Sequence, residues 1–509
     1  MALYLGAELG STRIKAVTIN ENHIPVAAGG FDWGSRLENG IWTYDLALVW
    51  QGLKTAISQI PDRDQLTAAG ISAMMHGYLA FDENWELLVP FRTWQNTVTA
   101  PAAAELTQAL GINMPQRYCS VHLYQAILSG EPHANRVAHI TTLSSYVHYM
   151  LTGENVVGLG DASGMFPLDN ATLDYNEEML QKYDALAKAK GFPRSLRAVL
   201  PKALPAGTPA GKLTARGAAL LEGLLPEGLP FAPPEGDSGT SLTAANAVSP
   251  RTGMISAGTS IFANIVLERP LQRLHTELDP LSTPAGKPVV AAACNNGTRD
   301  LNAWTELLAE AAALFGAQPT AAEVFSALYR KSMEADPDCG GLVSCNYLGG
   351  ENITHLDAGR PMLARLPDSR LTLANFYKSL LYGSMATLRI GMEILEQEQV
   401  KIDRLVGLGG MFKTPGVAQQ YFATACKTKV LCQQTAGEGG AYGIALLTAY
   451  RMQKAAGETL EDYLEQRVFK DAKETCCMPD GDAAPGFDLY VARYKQLLEA
   501  ERLLAETLN

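Results

Sequence analysis

A short motif of small residues occurs twice in this chain, separated by about half of its length. Each copy is a glycine followed by two hydroxyl residues, and the two copies are Gly10, Ser11, Thr12 and Gly258, Thr259, Ser260. Apolar runs at residues 3–7 and 14–19 flank the first copy, and runs at 254–257 and 261–267 flank the second. Each copy predicts two short strands joined by a turn. The repetition therefore predicts two similar α/β domains.

Both turns have the composition of a phosphate-binding site. Glycine lets the backbone approach an anion closely, and hydroxyl and backbone N–H groups donate hydrogen bonds to that anion. Glu8 precedes the first turn and Lys15 follows it, so the acid is a candidate to hold magnesium through water. Taken alone, such a stretch is also an ordinary hairpin. It lacks the Gly-Lys-Ser/Thr sequence of a P-loop, which excludes that motif here.

One carboxylate lies between the two turns, in a run of small residues. Asp237 follows Gly236 and precedes the second turn by about twenty residues. Phosphoryl transfer requires positioned phosphates, a metal and a carboxylate that accepts the proton of the attacking hydroxyl. The order of turn, carboxylate and turn predicts a kinase for a small hydroxylated molecule.

The composition limits the partners and the compartment. A length of 509 residues predicts roughly two to four domains. The net charge of −12 argues against a nucleic-acid partner. The eight cysteines include no Cys-x-x-Cys pair, which favours reduced thiols in a cytoplasm. The first residues lack a basic region and no apolar run reaches the ~18 residues of a membrane helix, so we expect neither a signal peptide nor a membrane partner.

Two clusters in the first half are candidate recognition residues, and the second has a composition suited to binding hydroxyl groups. Met75 and His76 follow a predicted strand, and Trp94, Gln95 and Asn96 place an aromatic ring beside two amides. A lone histidine at the end of a strand is more often structural than functional. Each cluster by itself fits either role.

Two glycine-rich turns in the second half are candidates for contact with a nucleotide. Their residues are Gly409, Gly410, Phe412, Lys413 and Gly439, Gly440, the last two within the stretch 436–441. Such turns admit a flat ring or a phosphate, and they are equally common where a helix begins. The first turn lacks the third glycine of the dinucleotide fingerprint, which weakens a nicotinamide oxidoreductase interpretation.

The remaining pattern alternates short strands with amphipathic helices. The predicted elements are strands at 68–74 and 405–408, helices at 101–110, 376–396 and 439–450, a terminal helix, and a loop with a helix over 203–235 that leads to a strand carrying Asp237. A turn-rich segment at 249–253 predicts the joint between the two halves.

The order of these motifs resembles that of the FGGY carbohydrate kinases, most closely the xylulose and ribulose kinases, across nearly the whole chain. The resemblance is carried by Met75, His76, Gly77, the segments 149–154 and 161–163, Gly236, Asp237, Gly258, Thr259, Ser260, Gly409 and Gly410. It implies two actin-like (ribonuclease H-like) ATPase domains of the α/β class around a central cleft. The implied bounds are 1–249 and 250–484, followed by a helix at 485–509 that packs back across the joint.

The resemblance also implies a role for each motif. Asp237 would be the catalytic base and, with Glu8, a magnesium ligand. The sugar would contact Met75, His76, Trp94, Gln95, Asn96 and Asp237. ATP would contact Gly10, Ser11, Thr12, Lys15, Gly258, Thr259, Ser260, Gly409, Gly410, Phe412, Lys413, Gly439 and Gly440. The implied reaction is ATP- and Mg²⁺-dependent phosphorylation of the terminal hydroxyl of a ketopentose, D-xylulose or L-ribulose, in a cytoplasmic enzyme for which we consider a homodimer.

Two departures from the family pattern concern metal binding and substrate choice. The family usually has aspartate where this chain has Glu8, and its Trp-x-Asp-x-Arg motif is here Trp94-Gln95-Asn96-Thr97-Val98. The second change removes a carboxylate and a guanidinium, so the sequence leaves the sugar open. Rival interpretations are an actin- or chaperone-like ATPase, a catalytically silent sugar sensor, and a kinase for another polyol or deoxyketose.

Overall fold

The computed structural model describes residues 2–433 and 439–508, which form a mixed α/β structure. Its strands are β1 (Leu3–Leu9), β2 (Arg13–Asn20), β3 (Pro25–Asp32), β4 (Arg36–Glu38), β5 (Ile41–Thr43), β6 (Leu66–Ala73), β7 (Leu79–Phe81), β8 (His139–Thr141), β9 (Val156–Gly158), β10 (Leu168–Asp169), β11 (Asp174–Tyr175), β12 (Lys202–Leu204), β13 (Glu235–Gly236), β14 (Thr252–Ala257), β15 (Ile261–Val266), β16 (Asp279–Ser282), β17 (Pro288–Cys294), β18 (Leu342–Cys345), β19 (Met362–Arg365), β20 (Arg404–Leu408), β21 (Val430–Gln433) and β22 (Glu474–Cys477).

The helices include all those that the periodicity predicted. They are α1 (Leu46–Ser58), α2 (Ala100–Leu110), α3 (Cys119–Leu128), α4 (Leu143–Thr152), α5 (Leu159–Ser163), α6 (Glu177–Ala189), α7 (Leu196–Val199), α8 (Ala215–Leu220), α9 (Asp237–Ala244), α10 (Arg299–Leu314), α11 (Ala321–Ser332), α12 (Leu373–Gln397), α13 (Val417–Ala425), α14 (Gly439–Gln453), α15 (Leu460–Tyr463) and α16 (Ala484–Thr507). In the described residues, no helix combines the length and the apolar character that a membrane span requires.

The two larger sheets share a pairing scheme, and this similarity confirms the predicted duplication. The first sheet has the order β13-β6-β1-β2-β3, in which β1 pairs antiparallel with β2 and parallel with β6. The second has the order β16-β17-β15-β14-β20-β21-β22, in which β14 pairs antiparallel with β15 and parallel with β20. Each predicted glycine-hydroxyl turn therefore joins the two strands of an antiparallel hairpin beside a parallel strand.

Apolar side chains arrange these sheets in layers. One face of the first sheet packs on α1 and α4, and the far face of the second packs on α12, α13 and α16. Between the sheets lies a continuous core to which both sheets, α9 and α14 contribute. Its members include Tyr4 and Ala68 of the first sheet, Leu242 of α9, Ile444 of α14, and Met254 and Val406 of the second sheet.

The helix that crosses between the halves is α14. It packs on β1, β6 and α9, and a Cβ at Gly6 of β1 would collide with the carbonyl oxygen of Ala441 and the nitrogen of Ala445. The terminal helix α16 instead packs on α12 and β18 of the second half. The element that contacts the first sheet is therefore not the terminal one that we expected; the bounds at 249 and 484 stay a prediction.

Asp237 begins a helix and does not lie within a strand as expected. The preceding strand β13 contains only Glu235 and Gly236 and pairs with the end of β6. The small residues after Asp237 continue as α9, whose buried face enters the core between the sheets. This placement puts the carboxylate in the first turn of a helix, where backbone N–H groups are free to bind it.

Candidate functional site

The Asp237 carboxylate lies at the start of α9, beside the backbone of Met75. Its Oδ1 accepts a hydrogen bond from the Met75 backbone N–H at 3.1 Å. Burial raises the pKa of Asp237, while the N–H of Met75 and the charge of Arg117 act in the opposite direction. A carboxylate that is desolvated but still held by donors is more basic than one in water and has a fixed orientation.

Glu8 is the second carboxylate of this region. It lies opposite Lys15 in the β1–β2 hairpin, and its Oε2 accepts a hydrogen bond from the Ala441 N–H at 3.1 Å. Burial, and then the charge of Asp237, raise the pKa of Glu8 to about 7. The structure therefore brings the first turn, α14 and Asp237 close to one carboxylate.

Two aromatic side chains hold the backbone of the first turn. Trp33 Nε1 donates to the Gly10 carbonyl at 2.7 Å, and the Tyr44 hydroxyl donates to the Ser11 carbonyl at 2.8 Å. Ser11 and Thr12 are exposed. The turn thus keeps its shape through its carbonyls while the side chains of Ser11 and Thr12 remain accessible to solvent, as a phosphate site requires. Sequence reasoning missed Trp33 and Tyr44.

The second turn is braced by a neighbouring turn at 295–297. The N–H of Gly297 donates to the Thr259 carbonyl at 2.9 Å, and the N–H of Thr298 donates to the Gly258 carbonyl at 3.0 Å. The buried carboxylate of Glu351 accepts from the backbone N–H groups at 295 and 296. Thr259 is exposed. Glu351 therefore fixes the loop that supports this turn, a role that its position in the sequence did not indicate.

The residues of the second half that were predicted to contact the nucleotide fall into two groups. Gly409, Gly410 and Lys413 are exposed beside the end of β14, whereas the Phe412 ring packs on Phe422 with centroids 5.3 Å apart. Phe412 is therefore partly committed to the core of the second half. Gly439 and Gly440 open α14, and residues 436–438 of the same predicted motif lie outside the described residues.

The structure places Met75 and His76 beside Asp237. His76 has a φ of +68°, a conformation that is costly for a residue with a side chain and that occurs mainly where the surroundings enforce it. Its ring stacks on Tyr118 with centroids 5.3 Å apart and an interplanar angle of 14°. Burial, followed by the charge of Arg117, lowers the pKa of His76 well below its usual value, so the imidazole is neutral.

The three residues of the cluster at 94–96 differ in exposure and in hydrogen bonding. Trp94 is exposed, and the Oε1 atom of Gln95 is buried without a hydrogen-bond partner in the described structure. The Asn96 side chain is fully engaged, because it accepts from the Trp42 N–H and donates to the Trp42 carbonyl, both at 2.9 Å. Asn96 therefore holds β5 against this loop; its predicted contact with a sugar remains untested.

Four further polar residues adjoin Asp237. Asp161 and Glu235 are both buried, and Glu235 accepts hydrogen bonds from the N–H groups of Gly160 and Asp161. Burial raises the pKa of Asp161 to about 7 and that of Glu235 to about 8. Arg117 and Asp279 form an ion pair close by. Asp161 was noted in the sequence only as part of a family motif, and the other three were not predicted. Glu235 is two residues before Asp237, whereas Arg117 and Asp279 come from distant parts of the chain.

The geometry defines a class: a two-lobed α/β phosphotransferase with a hairpin turn on each lobe and carboxylates between them. Models of the FGGY family of carbohydrate kinases match both parts of the chain, the N-terminal domain at residues 3–243 and the C-terminal domain at residues 253–452. The chain belongs to the FGGY family of carbohydrate kinases, and it is an ATP-dependent sugar kinase.

Individual relatives agree on the family and differ in the substrate that they name. A xylulose kinase from Lactococcus lactis subsp. lactis is 23% identical over 98% of this chain and 95% of its own length. A structure described as a xyloylose kinase from Brucella ovis superposes with a TM-score of 0.80 at 21% identity, covering 98% of this chain and 99% of its own. A gluconate kinase from Lactobacillus acidophilus reaches a TM-score of 0.81 at 16% identity and covers both chains fully, at 100% each. These similarities show the predicted fold.

Proposed function

We propose that this kinase transfers the γ-phosphate of ATP to the terminal hydroxyl of a ketopentose, D-xylulose or L-ribulose. The observation that carries the proposal is the setting of Asp237, a desolvated carboxylate that the Met75 N–H orients next to His76. The xylulose kinases among the relatives favour D-xylulose.

In this mechanism Asp237 accepts the proton of the sugar hydroxyl as its oxygen attacks the γ-phosphorus. The attacking oxygen forms a bond to phosphorus, and the bond between phosphorus and the β,γ-bridging oxygen breaks to release ADP. In this proposal the exposed residues Ser11, Thr12 and Thr259 donate through their hydroxyls to phosphate oxygens, and Lys15 adds positive charge next to Glu8. The neutral ring of His76 stacks on the buried ring of Tyr118, and we call this stacked pair the sugar wall because His76 would contact the sugar.

Glu8 and Asp237 fit a divalent cation as donors. After burial, the negative charge of Asp237 raises the pKa of Glu8, and a bound cation would relieve the repulsion between the two carboxylates. In the described residues no set of three or more acidic, histidine or cysteine side chains is arranged for a metal. This donor set suits Mg²⁺, which binds one or two carboxylates together with phosphate oxygens. When bound, Mg²⁺ would neutralise charge on the phosphates.

We also propose that this kinase is a cytoplasmic enzyme. All eight cysteines are free thiols, five of them buried, which supports a reducing cytoplasm.

A coupled assay of ADP release over D-xylulose, L-xylulose, D-ribulose, L-ribulose, glycerol and gluconate tests the substrate. We expect the highest kcat/KM with one of the ketopentoses. A preference of more than tenfold for glycerol or gluconate would contradict the proposed substrate class. ATP turnover that no sugar stimulates would favour the chaperone-like ATPase, and tight sugar binding without product would favour the sensor.

A further inference from the structure

One segment of the first half reaches across to the edge strand of the second sheet. The segment at 113–118 precedes α3, and three of its side chains bond to β16 or to the residue before it. Asn113 Nδ2 donates to the Leu278 carbonyl at 2.9 Å and to Asp279 Oδ1 at 3.2 Å. The Tyr118 hydroxyl donates to the Pro280 carbonyl, and Arg117 forms an ion pair with Asp279.

The same segment is attached to the sugar wall. The Gly77 N–H donates to the Arg117 carbonyl at 3.0 Å, and the Tyr118 ring stacks on His76. The turn at 75–77 also supplies the N–H of Met75 that holds Asp237. Arg117 is therefore joined to the proposed base through one short turn, although the two residues are far apart in the sequence.

The Arg117 guanidinium retains unused donors. It has five N–H groups in a planar fork, of which the structure uses one Nη on Asp279. The side chain is 29% exposed while that of Asp279 is 7% exposed, so the acid is enclosed and the guanidinium reaches solvent. The positive charge of Arg117 lowers the pKa of both His76 and Asp237, which agrees with its position beside them.

We propose that Arg117, held by Asp279, is a specificity-determining residue that donates hydrogen bonds to the hydroxyl oxygens of a neutral sugar. The pair offers a guanidinium and a carboxylate beside the turn at 75–77, whereas the segment 94–98 contains no charged residue. This inference rests on the proposed sugar kinase function and adds the chemical class of the acceptor.

The ion pair of Arg117 and Asp279 favours neutral sugars over sugar acids. Asp279 neutralises Arg117, and the nearby Asp237 and Glu8 are acidic, so a sugar acid would bring its carboxylate to a region without net positive charge. A neutral polyol has no such penalty, and its hydroxyls accept well from a guanidinium fork. Removal of the Asp279 charge would leave Arg117 free to pair with the carboxylate of an aldonate.

The experiment compares Arg117→Met, Arg117→Lys and Asp279→Asn with wild type on the best ketopentose and on gluconate. For Arg117→Met we expect the KM and Kd of the neutral sugar to rise about 10- to 100-fold, with the KM of ATP within about twofold. Arg117→Lys should lose part of this affinity. Asp279→Asn should raise the ratio of kcat/KM for gluconate to that for the ketopentose by about tenfold or more.

Controls separate this inference from the function on which it rests. Arg251→Met and Asp403→Asn break an exposed ion pair of the second half and should leave sugar affinity unchanged. Calorimetric titration of sugar without ATP, together with the melting temperature, measures binding in variants that have lost activity. If wild type uses a ketopentose and folded Arg117→Met binds it equally well, Arg117 only ties the two halves and the inference fails. If wild type uses no sugar of the panel, the proposed function fails instead.

Discussion

At the scale of single residues, the site depends on carboxylates that burial has made more basic. Burial raises the pKa of both Asp237 and Glu8, and the charge of Asp237 raises the pKa of Glu8 further. The sequence showed both residues as acids among small residues. It did not show that they are desolvated, because the groups that cover them, α14 and the turn at 75–77, come from other parts of the chain.

Replacement of Asp237 by asparagine should remove the proton acceptor while preserving shape. We expect kcat to fall about 10²- to 10⁴-fold with little change in the Kd of ATP, measured by steady-state kinetics and by nucleotide titration. Asp184→Asn changes a carboxyl group on α6 and serves as the control, which should retain activity. Activity of Asp237→Asn near that of wild type would show that another group accepts the proton.

The charge state of Glu8 should appear in the pH dependence. Its pKa is raised to about 7, so the carboxylate becomes protonated as the pH falls through 7 and then binds Mg²⁺ less well. We expect the apparent KM for Mg²⁺ to rise between pH 8 and pH 6, by about tenfold per pH unit at the lower end. Glu8→Gln should raise this KM at every pH and flatten its dependence. An unchanged profile in Glu8→Gln would remove Glu8 from the metal site.

At the scale of elements, the site depends on the close approach of α14 to β1. Gly440 lies against the Glu8 carboxylate and the Thr240 hydroxyl, and the Ala441 N–H donates to Glu8. The predicted helix at 439–450 is confirmed. Its contact with the first sheet was not predicted, because helical periodicity shows which face is apolar but not which distant sheet will cover it.

Gly440→Ala should disrupt this approach, since a Cβ there would overlap Glu8 Oε1. We expect the KM for Mg²⁺ to rise and the free energy of unfolding to fall by about 1–3 kcal/mol, measured by denaturant unfolding. Gly481 has open space around its Cβ position and an ordinary φ, so Gly481→Ala is the matched control. Equal behaviour of the two variants would contradict the packing argument.

At the scale of the whole molecule, the two halves share a core that contains several buried acids. The carboxyls of Glu8, Asp161, Glu235 and Glu351 have pKa values raised to about 7, 7, 8 and 7, with burial as the largest cause for each. In the unfolded chain such groups titrate near pH 4. The folded state therefore binds more protons than the unfolded state between these values.

This difference sets the sign of the pH dependence of stability. These four groups contribute stability below about pH 4, and they lose it as the pH rises through their folded pKa values. We expect the melting temperature without Mg²⁺ and sugar to be higher at pH 6 than at pH 8.5, and Glu235→Gln to reduce that difference. A melting temperature that rises from pH 6 to pH 8.5 would contradict the raised pKa values of these buried acids.

Local sequence was sufficient for much of the fold. The hairpins around Gly10 and Gly258 and the long helix α12 follow from alternating or helical patterns whose signal lies within a few neighbouring residues. Asp237 was predicted in a strand, but β13 ends at Gly236 after two residues, and the small residues from Asp237 onward form α9. Asn96 was predicted to contact the sugar, and that contact stays untested; the sequence did not show that its amide bonds to the backbone of Trp42, about fifty positions earlier.

The sequence by itself determined that this chain has two similar α/β halves, a phosphate-type turn in each, one carboxylate between them and the motif order of a sugar kinase. These properties depend on residue type and spacing along the chain. Only the tertiary structure decided that α14 rather than α16 joins the halves, that Trp33 and Tyr44 brace the first turn, and that Arg117 meets Asp279 beside the sugar wall. Such contacts join residues far apart in sequence, and they form because closing a shared core between two sheets brings their loops together.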